Sequence, residues 1–99
     1  MVYIYEIKSM SYPNRVETKS LLEHKEKYST DEFEKMIGEA QYAMEEYVEE
    51  YEDNKYDETM EYICDAAEDD YLEAIAIYLI LRKGFSRHIV KEAVSVYIN

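Results

Sequence analysis

The sequence predicts an α+β fold, with a single domain over residues 1–99 in which an N-terminal β-hairpin packs against three or four helices. Strand-like alternation at the start of the chain and helical periodicity after it indicate the two kinds of element. The 2 glycines and 1 proline leave nearly all backbone positions free to join long regular elements. An all-α helical bundle is the alternative architecture.

The hairpin is predicted over residues 1–24. Apolar and aromatic residues alternate with polar ones from Val2 to Met10, which favours a strand. Residues 11–14, Ser-Tyr-Pro-Asn, are typical of a turn, and Val16 can then begin a second strand that pairs back on the first. Because an isolated two-stranded hairpin is marginally stable, it must lie on helices.

The first helix is predicted over residues 30–52. Ser29 and Glu32 have the spacing of a capping box, and Tyr28 and Phe33 have that of a hydrophobic staple. Apolar residues then recur at helical spacing: Phe33, Met36, Ile37, Ala40, Met44, Tyr47, Val48 and Tyr51. They fall on one face, so the pattern predicts an amphipathic helix with a polar opposite face.

Residues 55–83 carry a second helical pattern, for which Asn54 is the expected N-cap. The phase of its apolar stripe does not slip, which leaves open one long helix or two helices broken near residues 69–70. Residues 71–81 are apolar nearly all round, so this part should be the central buried element. Lys83 followed by Gly84 is a helix stop.

A C-terminal helix is predicted over residues 87–98. Ser86 has the position of an N-cap, and Phe85 and Val90 have the spacing of a hydrophobic staple. The β-branched tail at residues 94–98 leaves a strand as the alternative.

Acidic residues are concentrated in the middle of the chain. Residues 31–73 hold 18 of the 23 Asp and Glu, but of the 11 Lys and Arg only Lys35 and Lys55. The formal net charge of −12 argues against DNA, RNA and anionic membranes as direct ligands. The longest apolar run, residues 74–81, is too short to span a bilayer. The chain opens without a charged-then-apolar leader, so we expect a cytoplasmic protein.

The residue types that carry chemistry form no familiar motif. His24 and His88 lack the Glu-x-x-His spacing of a di-iron bundle. The acidic run 52–61 lacks the glycine of an EF-hand loop, and the sequence has no glycine-rich phosphate loop or zinc motif. Cys64 lies in an apolar row beside acidic residues, which favours a buried, reduced thiol. We expect no enzymatic activity, no cofactor and no metal.

The outward faces of the two acidic helices form the candidate binding site. Like charges at helical spacing repel one another, and a surface suited to solubility alone would intersperse lysines. Tyr42 and Tyr62 each lie opposite an apolar stripe and among carboxylates, where an aromatic ring can stack on an arginine. The candidate partner-binding residues are Glu39, Tyr42, Glu45, Glu46, Glu49, Glu50, Asp53, Glu58, Tyr62, Asp65 and Asp69.

These features favour a small acidic inhibitor or regulator that binds a basic, nucleic-acid-binding protein as a DNA mimic. In size, acidity and Tyr/Glu composition the chain resembles phage-encoded inhibitors of host defence, such as anti-CRISPR and anti-restriction proteins. That resemblance implies action in the host cytoplasm, and it is one of composition, without a shared motif. The alternative is a homo-oligomeric or adaptor helical module, including a homodimer, whose acidity only confers solubility.

Overall fold

The computed structural model describes residues 1–11, 15–48, 56–89, 96 and 98. A three-stranded antiparallel sheet and three helices make this part of the chain a mixed α+β fold, as the sequence predicts. The elements are β1 (Tyr3–Ser11), β2 (Val16–His24), α1 (Thr30–Glu46), α2 (Glu58–Asp69), α3 (Tyr71–Lys83) and β3 (Ser86–Arg87).

The predicted hairpin is present, and it gains a third strand. β1 and β2 pair without interruption from Tyr3 opposite His24 to Ser11 opposite Val16. On its other side β2 pairs with β3, with Leu22 opposite Arg87. The strand order β1-β2-β3 therefore makes β2 the central strand and β1 an edge.

Helix α1 begins where the sequence predicts and ends earlier. The Ser29 hydroxyl accepts from the Glu32 N–H at 3.2 Å, and Glu32 Oε1 accepts from the Ser29 N–H at 3.1 Å, which completes the capping box. The helix ends at Glu46 because Tyr47 adopts extended backbone angles (φ −66°, ψ 125°). The rest of the predicted helical range, residues 49–52, lies outside the described residues.

The second helical pattern is two helices, with the break at Asp70. This residue has extended backbone angles (φ −150°, ψ 98°), so the helix cannot continue through it. Its N–H donates to the Ala66 carbonyl at 2.9 Å, and its carboxylate accepts from the Glu73 N–H at 3.1 Å. One aspartate thus closes α2 and caps α3.

The start of α2 differs from the prediction. Asp57, rather than Asn54, is the N-cap, and its Oδ1 accepts from the N–H groups of Thr59 and Met60 at 3.0 and 3.2 Å. The helix therefore begins at Glu58 instead of residue 55. Asn and Asp are both favoured at this position, so residue type alone does not choose between Asn54 and Asp57.

Helix α3 is the central element, as its apolar composition predicts. On one side it packs with α1 and the sheet around Ile7, Leu22, Phe33 and Phe85. On the other side Ala74 packs with α2 in a smaller cluster. The residues that α3 buries are Leu72, Ala74, Ile75, Ala76 and Leu79.

The predicted helix over residues 87–98 does not begin at its expected cap. Gly84 ends α3 in the left-handed region (φ 76°), which turns the chain back toward β2. Phe85 is only 2% exposed, and its ring contacts those of Tyr5 and His24 instead of stapling a helix. This burial sets Ser86 and Arg87 beside β2 as a strand. Residues 90–95, 97 and 99 lie outside the described residues.

Candidate protein-binding surface

Helix α2 presents one row of acidic and aromatic side chains to solvent. Glu58, Tyr62, Asp65 and Asp69 follow one another at spacings of four, three and four residues, which places them on one helix face. All four are exposed, and Tyr62 is 61% exposed. The opposite face carries the buried Ile63, so the row points away from the core.

Helix α1 presents a similar face. Tyr42 is 65% exposed, and Glu45 and Glu46 beside it are also exposed. The buried residues of this helix, Phe33 and Ala40, lie on the opposite side. The remaining candidates from this helix region, Glu49, Glu50 and Asp53, lie outside the described residues.

The two helices meet through their apolar sides. Met44 and Tyr47 of the α1 end pack in the same cluster as Ile63 and Cys64 of α2. The Cys64 thiol donates to the Met44 carbonyl at 3.9 Å across this contact. The acidic faces therefore flank a shared apolar seam, with both tyrosines on the outside.

Three acidic residues are neutralised within the fold by the basic residues near the end of α3. Asp57 pairs with Arg82 at 2.6 Å, Glu39 pairs with Lys83 at 2.5 Å, and Glu73 pairs with Arg87. The Lys83 ammonium holds the pKa of the Glu39 carboxyl below its ordinary value, and the carboxylate raises the pKa of Lys83. Glu39 is thus engaged in the tertiary structure, unlike the other described candidates.

The other described carboxylates of the candidate surface have no counter-charge among the described residues. Within the described residues, no ion pair reaches the carboxylates of the two faces other than Glu39. These carboxylates are Glu45, Glu46, Glu58, Asp65 and Asp69. Helix α2 contains no lysine or arginine, so it offers no internal counter-charge to its row.

Charge placement at the helix ends also works against α1 and α2. Neither helix has a basic residue in its last turn, where Glu45 and Glu46, or Glu68 and Asp69, stand instead. Negative charge there is unfavourable because it faces the negative end of the helix dipole. Helix α3, in contrast, ends with Arg82 and Lys83. The acid in the last turns of α1 and α2 therefore does not serve helix stability.

Two other groups near this surface have perturbed acidities. The Tyr56 hydroxyl donates to Glu61, which raises the pKa of Tyr56. Burial raises the pKa of the Cys64 thiol, and the charge of Asp65 adds to that shift. A raised pKa keeps the thiol protonated and poorly nucleophilic. Cys64 is half-buried, whereas the sequence predicts a buried thiol.

Comparisons with protein-family models, with curated proteins and with solved structures gave no match to this chain. In the part of the chain that the structure describes, no three His, Cys, Asp or Glu side chains are grouped so that they could hold a metal ion. The described helices include none that is long and apolar enough to cross a bilayer.

Proposed function

We propose that this chain is a small acidic inhibitor or regulator that occupies a basic, nucleic-acid-binding surface of another protein as a DNA mimic. The observation that carries the proposal is the row on α2, in which Glu58, Asp65 and Asp69 surround the exposed Tyr62 without an ion pair among the described residues. Such a surface suits a cationic partner and repels nucleic acid itself. The phage anti-defence type remains the class that the composition favours.

The density of charge along α2 matches that of a nucleic acid strand. Its 12 residues include five carboxylates, namely Glu58, Glu61, Asp65, Glu68 and Asp69. At about 1.5 Å per residue the helix is roughly 18 Å long, which gives about one carboxylate per 3.6 Å. One DNA strand carries a phosphate about every 3.4 Å of helix axis. A partner's groove whose lysine and arginine side chains bind successive phosphates would therefore find carboxylates at a similar spacing along α2.

The exposed tyrosines add a contact that charge alone would not supply. Tyr62 and Tyr42 are flanked by carboxylates, so an arginine can stack on the ring and bind a carboxylate with its guanidinium. Aromatic and arginine pairs of this kind are enriched among the residues that dominate binding energy.

The carboxylates of α2 are also held in place before a partner arrives. Asp57 caps the start of the helix and Asp70 closes its end, while Met60 and Ile63 anchor its inner face. A preorganised row loses less conformational entropy on binding than the same residues in a flexible tail. This rigidity favours a specific interface over a solvated acidic segment.

Displacement from DNA tests the proposal. Lysate proteins retained on immobilised double-stranded DNA are washed with the chain at about 0.15 M salt, where the Debye length is about 8 Å. Wild type should release a defined subset of basic proteins. The variant E58Q/D65N/D69N should release little of that subset, because its row is neutral and nearly isosteric.

The matched control removes the same charge elsewhere. E17Q/E26Q/E34Q neutralises three exposed carboxylates away from the two tyrosines and should release proteins as wild type does. Equal release by all three chains, or release unchanged in about 0.5 M salt, would contradict the mimic, since exposed charge contacts are screened there.

The alternative is an oligomeric or adaptor module whose acid only confers solubility. The observation that favours it is the nine-residue strand β1, which stands at the edge of the sheet. In that case E58Q/D65N/D69N would leave every binding property intact. For both candidates we propose a cytoplasmic location, supported by the one free, reduced thiol at Cys64.

A further inference from the structure

Strand β1 has one edge without a partner among the described residues. It pairs with β2 on one side only, and the sheet ends there. Its register with β2 runs from Tyr3 to Ser11 without a bulge, and its nine residues include no proline. Proteins usually protect such edges with bulges, prolines or very short strands, because a free edge is a template for another strand.

An open cleft runs along this edge on the helical side of the sheet. Its volume is about 380 Å³, and β1 contributes residues 6–9 to its wall. Apolar side chains of α1 and α3 form much of the rest, including Phe33, Ile37 and Ile75. A strand added to β1 would extend the sheet over this cleft and remove apolar surface from water.

The outer face of β1 is complementary to a second, antiparallel copy of itself. Its side chains alternate away from the helices as Ile4, Glu6, Lys8 and Met10, with Ile7 at the centre of the series on the inner face. Ile4 and Met10 are 55% and 45% exposed, and Lys8 is exposed as well. An apolar residue thus stands at each end, and opposite charges stand between them.

We propose that two copies of this chain pair through β1, antiparallel, about a twofold axis that passes between the two Ile7 residues. In this register Glu6 faces Lys8 of the partner subunit, and Ile4 faces Met10 of the partner subunit. By symmetry each contact occurs twice, as an isologous interface requires. The product is a six-stranded sheet in the order β3-β2-β1-β1-β2-β3, with all helices on one face.

Charge selects this register over its neighbours. A twofold at Glu6 would set Glu6 opposite Glu6 of the partner subunit, and a twofold at Lys8 would set Lys8 opposite Lys8 of the partner subunit. Like charges directly opposite one another destabilise a strand pair, whereas opposite charges stabilise it. A slip by a single residue would turn the outer face of one strand toward the inner face of the other.

The location of β1 suits the approach of two strongly acidic molecules. The net charge is −12, but residues 1–30 hold five Lys and Arg against four Asp and Glu. Much of the acid lies on α1 and α2, and of their carboxylates Glu34 lines the cleft beside β1. Two copies therefore repel each other least when they meet through the sheet. Because β1 is separate from the acidic faces, this dimer can form whether or not the proposed function holds.

Sedimentation equilibrium between about 5 and 500 µM tests the dimer in about 0.3 M NaCl, where the Debye length of roughly 6 Å screens the general repulsion. Wild type should change from monomer to dimer across this range. Glu6→Lys and Lys8→Glu should each weaken dimerisation at least tenfold, because each sets like charges opposite one another. The exchange E6K/K8E restores opposite charges and should dimerise like wild type.

Mixing the two single variants is the most direct test of the proposed register. The Glu6→Lys and Lys8→Glu chains are weak dimers alone, but together they place Lys opposite Glu at both positions and should form a heterodimer. The control Lys27→Glu makes the same charge change as Lys8→Glu at a residue outside the sheet, and it should dimerise like wild type. A monomeric wild type at 500 µM, a dimer indifferent to both single substitutions, or a mixture without heterodimer would each overturn the proposal. A defined complex with an unrelated extended peptide but no self-association would also overturn it.

Discussion

Asp70 joins α2 to α3, because its backbone ends one helix and its side chain caps the next. Its N–H closes α2 on the Ala66 carbonyl, and its carboxylate caps α3 at the Glu73 N–H. Asp69, its neighbour, is exposed and lies in the last turn of α2, where its charge faces the negative end of the helix dipole. Adjacent aspartates thus have opposite effects on helix stability.

Alanine substitution separates these two roles. Asp70→Ala removes the cap of α3 and should lower the free energy of unfolding by about 1 kcal/mol, the usual cost of losing an acidic N-cap. Asp69→Ala removes no cap and should leave stability unchanged or slightly higher. Urea denaturation followed by circular dichroism measures both, and equal losses for the two variants would refute the capping role.

The ion pair of Glu39 with Lys83 makes a pH-dependent contribution to stability. The pKa of Glu39 is lowered from 4.5 in the folded chain, so the pair stabilises the fold above that value and is lost as the pH falls through the lowered pKa. Glu39→Gln should therefore unfold more readily than wild type at pH 7, and the difference should shrink below pH 4.5. Thermal melts at several pH values check this, and a difference that grows with acidity would contradict it.

At the scale of the elements, Phe85 joins the end of α3 to the sheet. Its ring lies 5.4 Å from that of Tyr5 and 4.8 Å from that of His24, measured between centroids. It also contacts Tyr28 and Phe33 at the start of α1. This aromatic cluster, rather than the two-residue strand itself, holds β3 in place.

Phe85→Ala should cost about 3–5 kcal/mol of stability, because a nearly fully buried ring leaves a cavity among aromatic neighbours. It should also raise hydrogen exchange at His88, whose N–H donates to the Leu21 carbonyl at 3.0 Å. Tyr62→Ala, at an exposed ring, serves as the control and should change stability by less than about 0.5 kcal/mol. Similar losses for both variants would contradict the anchoring role of Phe85.

At the scale of the whole molecule, charge repulsion opposes folding. The chain carries −12 overall, and much of it is concentrated on α1 and α2 without compensation among the described residues. Salt screens such repulsion over the Debye length, which shrinks from about 30 Å at 0.01 M to about 8 Å at 0.15 M. Salt should therefore have opposite effects on folding and on the proposed binding to a basic partner.

The melting temperature should rise as NaCl increases from about 0.01 to 0.15 M. The melting temperature of E58Q/D65N/D69N should be higher than that of wild type at low salt and should rise less as salt is added, because the repulsion on α2 has been removed. Differential scanning calorimetry with E17Q/E26Q/E34Q as the equal-charge control tests whether the row itself is responsible. A melting temperature that falls with salt would show that the ion pairs of the fold outweigh its repulsion.

The start of α1 and the acidic faces were predictable because both depend on residues close in sequence. The capping box at Ser29 and the helical spacing of Glu58, Tyr62 and Asp65 are local patterns, and the structure confirms the helical register that they predict. The hairpin was predictable for the same reason, since only residues 12–15 separate its two strands.

Where a segment had more than one locally favoured structure, contacts with distant parts of the chain decided which one formed. The sequence favoured a helix after Ser86, but burial of Phe85 against the sheet made Ser86 and Arg87 a strand. The pairing of Glu39 with Lys83, and the position of β1 at the sheet edge, likewise depend on segments far apart in the chain. The acidic surface follows from the sequence itself, and the division into paired and unpaired carboxylates arises when α3 brings its cations beside them.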